Sequence, residues 1–121
     1  MESREMARKA AGILNDKKAQ DATIIDVSEK SSFADYLVVA SGNSERQVGA
    51  LAEELEDRLA REGVLPRSIE GKKESGWILM DFGDVIANVF TGEQRERYNL
   101  EKVWGDCPFI ELEEEKESLE V

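Results

Sequence analysis

Histidine is missing from this 121-residue chain, and cysteine occurs once, as Cys107. The lack of histidine excludes Ser-His-Asp and Cys-His nucleophilic sites as well as histidine-ligated metal centres. A lone cysteine forms no internal disulfide and has no second thiol for a zinc site or a redox pair. The chain has no apolar run of the roughly 18 residues that a membrane helix needs, and its charged start does not resemble a signal peptide. We therefore expect a soluble, cytoplasmic protein without a metal centre or a cofactor.

Positive charge is scarce as well, because 16 Lys and Arg stand against 27 Asp and Glu, for a formal net charge of −11. Such a chain repels nucleic acid, since each neutralised phosphate requires a nearby cation. The balance argues against direct, sequence-specific nucleic-acid binding and favours basic proteins as partners. Residues 111–121 hold six Glu and one Lys, a local charge of −5. We expect this segment to be a disordered and dispensable acidic tail behind a domain at 1–110.

Within 1–110, segments with a helical pattern of apolar residues alternate with segments that have a strand pattern. Periodic apolar residues predict helices at about 2–18, 44–62 and 94–100. Short β-branched and aliphatic runs predict five strands, at 22–27, 36–40, 67–70, 77–80 and 85–90. Ser44 and Gln47 match a capping box at the start of the second helix, and Asp81–Asp84 suit a hairpin turn between the last two strands. The pattern predicts a single α/β domain with a mixed five-stranded sheet packed with helices.

Motifs for catalysis are weak throughout. Asp81, Phe82 and Gly83 match the kinase magnesium triplet by letter, but the chain is too short for the other kinase elements, and a hairpin turn explains the residues better. Asp81 and Asp84 could hold magnesium for nucleotidyl transfer, yet the sequence contains no Asp-x-Asp pair to place two ligands on one side of a strand. A domain without a catalytic set must act by binding. Trp77 and Tyr98 fit a partner surface and a hydrophobic core equally well.

Five blocks of the sequence together resemble the ribosomal silencing factor family, also known as the iojap-like proteins. The blocks appear in the family's order and extend over about 7–105, so the acidic tail falls outside the resemblance. They read SSFADY at 31–36, SGNSERQV at 41–48, EG at 70–71, GWILMDFGDVI at 76–86 and RYNLEKVW at 97–104.

The resemblance implies a fold with the topology of nucleotidyltransferases but without their catalytic carboxylates, and a function without enzymatic activity. Members of the family bind a small β-barrel protein on the intersubunit face of the large ribosomal subunit. Bound there, they block joining of the small subunit and repress translation when nutrients are scarce. The oligomeric state is left undecided, with a homodimer as one alternative. Two rival hypotheses are a magnesium-dependent, nucleotidyltransferase-like enzyme acting on a small nucleotide, and a dimeric adaptor with no ribosomal role.

The resemblance also points to the last two blocks as the contact region. Trp77 would be the apolar anchor, and carboxylates in these blocks would meet Lys or Arg of the ribosomal protein. Strand alternation places the odd-numbered residues from Trp77 to Asp81 on one face of the sheet. Asn88 departs from the family, which usually has His there, and Asn cannot become a cation. The predicted partner-binding residues are Trp77, Leu79, Asp81, Tyr98, Leu100 and Glu101.

Overall fold

The fold is known from a computed structural model, which describes residues 1–110, so the tail predicted at 111–121 lies outside the described residues. The helices are α1 (Ser3–Asp16), α2 (Glu45–Ala60), α3 (Gly92–Tyr98) and α4 (Leu100–Val103), with a 3-10 turn at Lys73–Ser75. The strands are β1 (Gln20–Asp26), β2 (Tyr36–Gly42), β3 (Ser68–Glu70), β4 (Trp77–Asp81), β5 (Val85–Thr91) and β6 (Phe109–Ile110). No helix within 1–110 is long and apolar enough to cross a membrane.

The strands form one mixed sheet of six strands in the order β3-β4-β5-β2-β1-β6. β2 and β5 pair in parallel at the centre, and the other neighbours are antiparallel. The mixed α/β class and the five predicted strands are confirmed, but the strand count is wrong by one. β6 escaped prediction because it is two residues long and follows Pro108, so its strand character comes only from pairing with Ile24 and Ile25.

Helices α1 and α2 cover one face of the sheet. Their apolar stripes meet inward-facing residues such as Val38, Met80 and Val89, all fully buried. The predicted start of α2 is confirmed, because the Ser44 hydroxyl accepts a hydrogen bond from the Gln47 N–H at 3.1 Å. The return bond goes one residue further back than predicted, since the Gln47 side chain accepts from the Asn43 N–H.

The opposite face carries a second apolar cluster around the buried Leu37, Val39 and Phe90. Leu100 and Trp104, from α4 and the residue after it, pack against this cluster. The single helix predicted at 94–100 is wrong in its extent, because the chain turns between α3 and α4 at Asn99, whose φ is 46°. Asparagine tolerates this left-handed conformation better than most residues, and the turn lets the chain fold back over the sheet.

Candidate partner-binding groove

Strand β4 presents two different faces. Ile78 and Met80 are buried under the helices, whereas Trp77, Leu79 and Asp81 are half-buried on the opposite face. The alternation predicted from the sequence is therefore present. These three side chains lie on the face that bears the second apolar cluster.

Trp77 is part of an aromatic trio. Its ring stacks on Phe90 at 5.0 Å between ring centroids and lies 4.6 Å from the ring of Tyr98. Phe90 is fully buried, while Tyr98 is 44% exposed. Trp77 therefore packs against the core on one side and is accessible from the surface on the other, and its contact with a partner stays a prediction.

Asn88 fixes the orientation of the Trp77 ring. The Trp77 indole N–H donates to the Asn88 side-chain oxygen at 3.1 Å, and Asn88 is only 2% exposed. A buried indole N–H needs such an acceptor. Sequence reasoning singled out Asn88 only as a departure from the family, and it missed this role. A neutral histidine nitrogen could accept the same hydrogen bond, whereas an imidazolium could not.

A groove of about 220 Å³ opens beside Trp77. We call it the aromatic groove, and its lining residues are Glu70, Gly71, Ser75, Trp77, Leu79 and Tyr98. At its rim, the Ser75 side chain is held by the backbone, because the Ser75 hydroxyl donates to the carbonyl oxygen of Lys72 at 2.7 Å. A concave apolar surface with exposed aromatic rings is the geometry of a protein-binding hot spot.

Three of the predicted contact residues, Trp77, Leu79 and Tyr98, come together in this groove. Asp81 lies on the same face of β4 but outside the groove, and one of its carboxylate oxygens accepts from the Gly83 N–H at 2.8 Å. Leu100 is half-buried against the second apolar cluster. That packing leaves Leu100 less available to a partner than Tyr98 is.

Glu101 has an internal partner. Its Oε2 atom accepts hydrogen bonds from Arg95 Nε at 2.9 Å and from Arg95 Nη2 at 2.8 Å. Arg95 also donates to the carbonyl oxygen of Asp21 at 2.7 Å, and its side chain is only 11% exposed. Sequence reasoning missed Arg95. Arg95 lies in a charged helical segment, and nothing in that segment indicated that its side chain would be buried.

The Arg97 guanidinium lies 5.8 Å from the centre of the Tyr98 ring, so a cation as well as carboxylates lies near the groove. Glu70 lines it and Asp81 lies beyond it, and neither carboxylate forms an ion pair within the described part of the chain. An exposed ion pair between Lys30 and Asp106 lies outside the groove. There the hydrogen bond between Lys30 and Asp106 raises the pKa of Lys30 and lowers the pKa of Asp106. Over residues 1–110, no group of three or more Cys, Asp or Glu is arranged to hold a metal ion.

Comparisons with known proteins identify relatives over most of the chain. The family model described as "Ribosomal silencing factor during starvation" matches residues 1–120. The ribosomal silencing factor of Bacillus subtilis is 39% identical over 113 residues, which are 93% of this chain and 96% of the relative. That of Zymomonas mobilis is 45% identical over 76% of this chain and 69% of its own length.

A solved structure shares the fold. The crystal structure of a protein from Chromobacterium violaceum superposes with a TM-score of 0.83 at 36% identity, covering 87% of this chain and 88% of the other. Family model, relatives and fold thus agree over nearly the whole length. This chain belongs to the ribosomal silencing factor family.

Proposed function

We propose that this protein represses translation by binding a basic protein on the intersubunit face of the large ribosomal subunit, where it blocks joining of the small subunit. The observation that carries the proposal is the aromatic groove, an exposed apolar surface in a member of a family named for ribosomal silencing. In the groove, Trp77 and Tyr98 are the anchors and Leu79 is the apolar floor. The protein would act where ribosomes work, in the cytoplasm.

Charge supports a protein partner over RNA. With a net charge of −11, the chain is repelled by ribosomal RNA and attracted by exposed Lys and Arg side chains of a ribosomal protein. Glu70 lines the groove and Asp81 lies on the same face of β4, and neither has an internal ion pair in the described residues. We propose that Glu70 meets a cation of the partner at the rim of the groove, that Asp81 meets another outside the groove on the same face of β4, and that Leu100 and Glu101 support the groove from α4.

The direct test is co-sedimentation with isolated large subunits at increasing salt. We expect the protein to pellet with large subunits at low salt and to be released progressively, because rim ion pairs weaken as the Debye length falls from about 10 Å at 0.1 M to about 3 Å at 1 M. It should not pellet with isolated small subunits. Absence of binding at low salt, with several-fold excess protein, would support the adaptor hypothesis instead.

We further propose that the protein acts by binding alone, without catalysis. Asp84 lies at an exposed turn, and its backbone oxygen accepts from the Asp35 N–H at 2.8 Å, so Asp84→Asn removes a charge and leaves the backbone contact. We expect Asp84→Asn to bind large subunits within about twofold of the wild type, because surface substitutions away from an interface have small effects. Asp81→Asn is the matched variant, and we expect it to weaken binding several-fold.

Calorimetry with nucleotides and magnesium, together with a turnover assay, completes this test. We expect neither binding nor turnover. Magnesium-dependent nucleotide turnover that Asp84→Asn abolishes would favour the enzyme hypothesis.

The acidic segment at 111–121 should be dispensable. We expect a chain truncated after Ile110 to unfold cooperatively and to bind large subunits at equilibrium. Association should slow at low salt because a charge of −5 is removed, and screening over about 8–10 Å should make the difference smaller at physiological salt. Urea unfolding and association kinetics at two salt concentrations check this. A truncated chain that is clearly less stable, or that binds more tightly, would contradict the prediction.

A further inference from the structure

The position of Tyr98 depends on a corner between two short helices. Tyr98 is the last residue of α3, and Asn99 turns the chain through a left-handed conformation into α4. Helices of seven and four residues have little stability of their own. The ring of Tyr98 therefore lies at 4.6 Å from Trp77 only if other contacts hold this corner against the sheet.

Arg95 supplies such contacts from one turn earlier. Its Nη1 atom donates to the carbonyl oxygen of Gln20 at 3.0 Å and its Nη2 atom to that of Asp21 at 2.7 Å. Pairing between β1 and β2 is irregular from Gln20 to Thr23, and Asp21 has a φ of 49°. Arg95 thus ties α3 to the irregular start of β1, whose carbonyl groups it satisfies.

Glu101 completes the connection from the other side of the corner. Its carboxylate accepts from both Nε and Nη2 of Arg95, so the guanidinium joins α3, α4 and β1 at one point. Charge-assisted hydrogen bonds to a largely buried guanidinium are among the stronger polar contacts in proteins. The Glu101 charge is therefore paired with Arg95, and Glu101 is not among the residues that line the groove.

We infer that Arg95 and Glu101 are positioning residues that hold the Tyr98 ring beside Trp77, and that Glu101 affects partner binding through Arg95 without touching the partner. This inference rests on the proposed function. It leaves the cation-binding role to Glu70 at the rim and to Asp81 outside the groove, and it gives Glu101 a different role from the one implied by its sequence block.

The test compares Glu101→Ala with Glu101→Gln. Glutamine keeps an oxygen that can accept from Arg95, so we expect Glu101→Gln to stay within about twofold of wild-type affinity for large subunits. Glu101→Ala should bind about tenfold more weakly, the equivalent of about 1.4 kcal/mol. Glu96→Ala, which removes an exposed carboxylate of α3, is the control and should bind like the wild type.

A double-mutant cycle separates positioning from direct contact. If the two residues act as a unit, Arg95→Ala with Glu101→Ala should bind no more weakly than the worse single variant. Additive losses, or an equal loss for Glu101→Gln and Glu101→Ala, would overturn the inference. Should Arg95→Ala fail to fold, Arg95→Lys takes its place, because lysine lacks the guanidinium fork and cannot make both sets of bonds.

A second readout needs no ribosome. In NMR spectra of the free protein, cross-relaxation between the Trp77 and Tyr98 ring protons should weaken in Glu101→Ala and persist in Glu101→Gln. If the wild type failed to bind large subunits, the proposed function would be wrong. The ring cross-relaxation would still test whether Glu101 positions Tyr98. Unchanged ring signals in Glu101→Ala would overturn the positioning role.

Discussion

Replacing Trp77 by alanine should weaken binding to large subunits about 30-fold, since a hot-spot aromatic contributes about 2 kcal/mol. The same substitution should lower the free energy of unfolding by about 2–3 kcal/mol, below the usual range for a fully buried tryptophan because Trp77 is only half-buried. Both losses have a structural cause. One side of the ring stacks on the buried Phe90, and the other side lines the groove.

Tyr98→Ala separates the two effects. Tyr98 is 44% exposed, so its replacement should lower the free energy of unfolding by about 1 kcal/mol, the value of an aromatic pair. Affinity for large subunits should fall by about the same factor as in Trp77→Ala. Trp104→Ala is the matched control, because Trp104 packs against the second apolar cluster outside the groove. It should lower stability without changing affinity.

Urea unfolding and co-sedimentation on the same preparations measure both quantities. Wild-type affinity in Tyr98→Ala, or a loss of affinity in Trp104→Ala as large as that in Trp77→Ala, would remove the groove as the contact site.

Gly71→Ala should be the most destabilising single substitution in the groove, at about 3–5 kcal/mol, the sum of a strained backbone and an overpacked contact. The φ of Gly71 is 87°, and a Cβ atom there would lie 2.1 Å from the backbone oxygen of Trp77. Since that oxygen belongs to β4, relief of the clash must displace Trp77 itself. Binding should therefore fall together with stability.

Gly63→Ala is the matched control for backbone strain. Its φ is 82°, yet no atom lies within 4 Å of the site of its Cβ. We expect a loss of about 1–2 kcal/mol from the left-handed backbone alone, and unchanged affinity. Equal unfolding free energies for the two alanine variants would show that the predicted contact with Trp77 does not form.

Local patterns predicted the central parts of the fold. The uninterrupted apolar run at Tyr36–Ala40 indicated a strand covered on both faces, and every residue of β2 is buried. The apolar stripe of α2 and the cap at Ser44 likewise depend on residues within one element. Strand β6 and the turn at Asn99 escaped prediction because their causes lie elsewhere. A two-residue strand exists through its partner, and the turn is stabilised by packing over the sheet.

In the candidate site, too, features within one element were predictable and contacts between distant elements were not. Strand alternation was enough to place Trp77, Leu79 and Asp81 on one face. The hydrogen bond from Trp77 to Asn88 crosses between neighbouring strands, and Arg95 reaches backbone oxygens 74 and 75 residues away in the sequence. Backbone carbonyl groups occur at every residue, so acceptors of this kind leave no mark in the sequence. For that reason a buried arginine looked like one more charge on a helix surface.

The most direct test of the proposed function is the joining of purified large and small ribosomal subunits, followed by light scattering. With several-fold excess protein at low salt, the fraction of joined subunits should fall, and it should recover as salt releases the protein. The Tyr98→Ala protein should no longer inhibit joining, because it binds large subunits weakly. The Asp84→Asn protein should inhibit joining as strongly as the wild type. Joining that proceeds to the same extent with and without wild-type protein would contradict the silencing role.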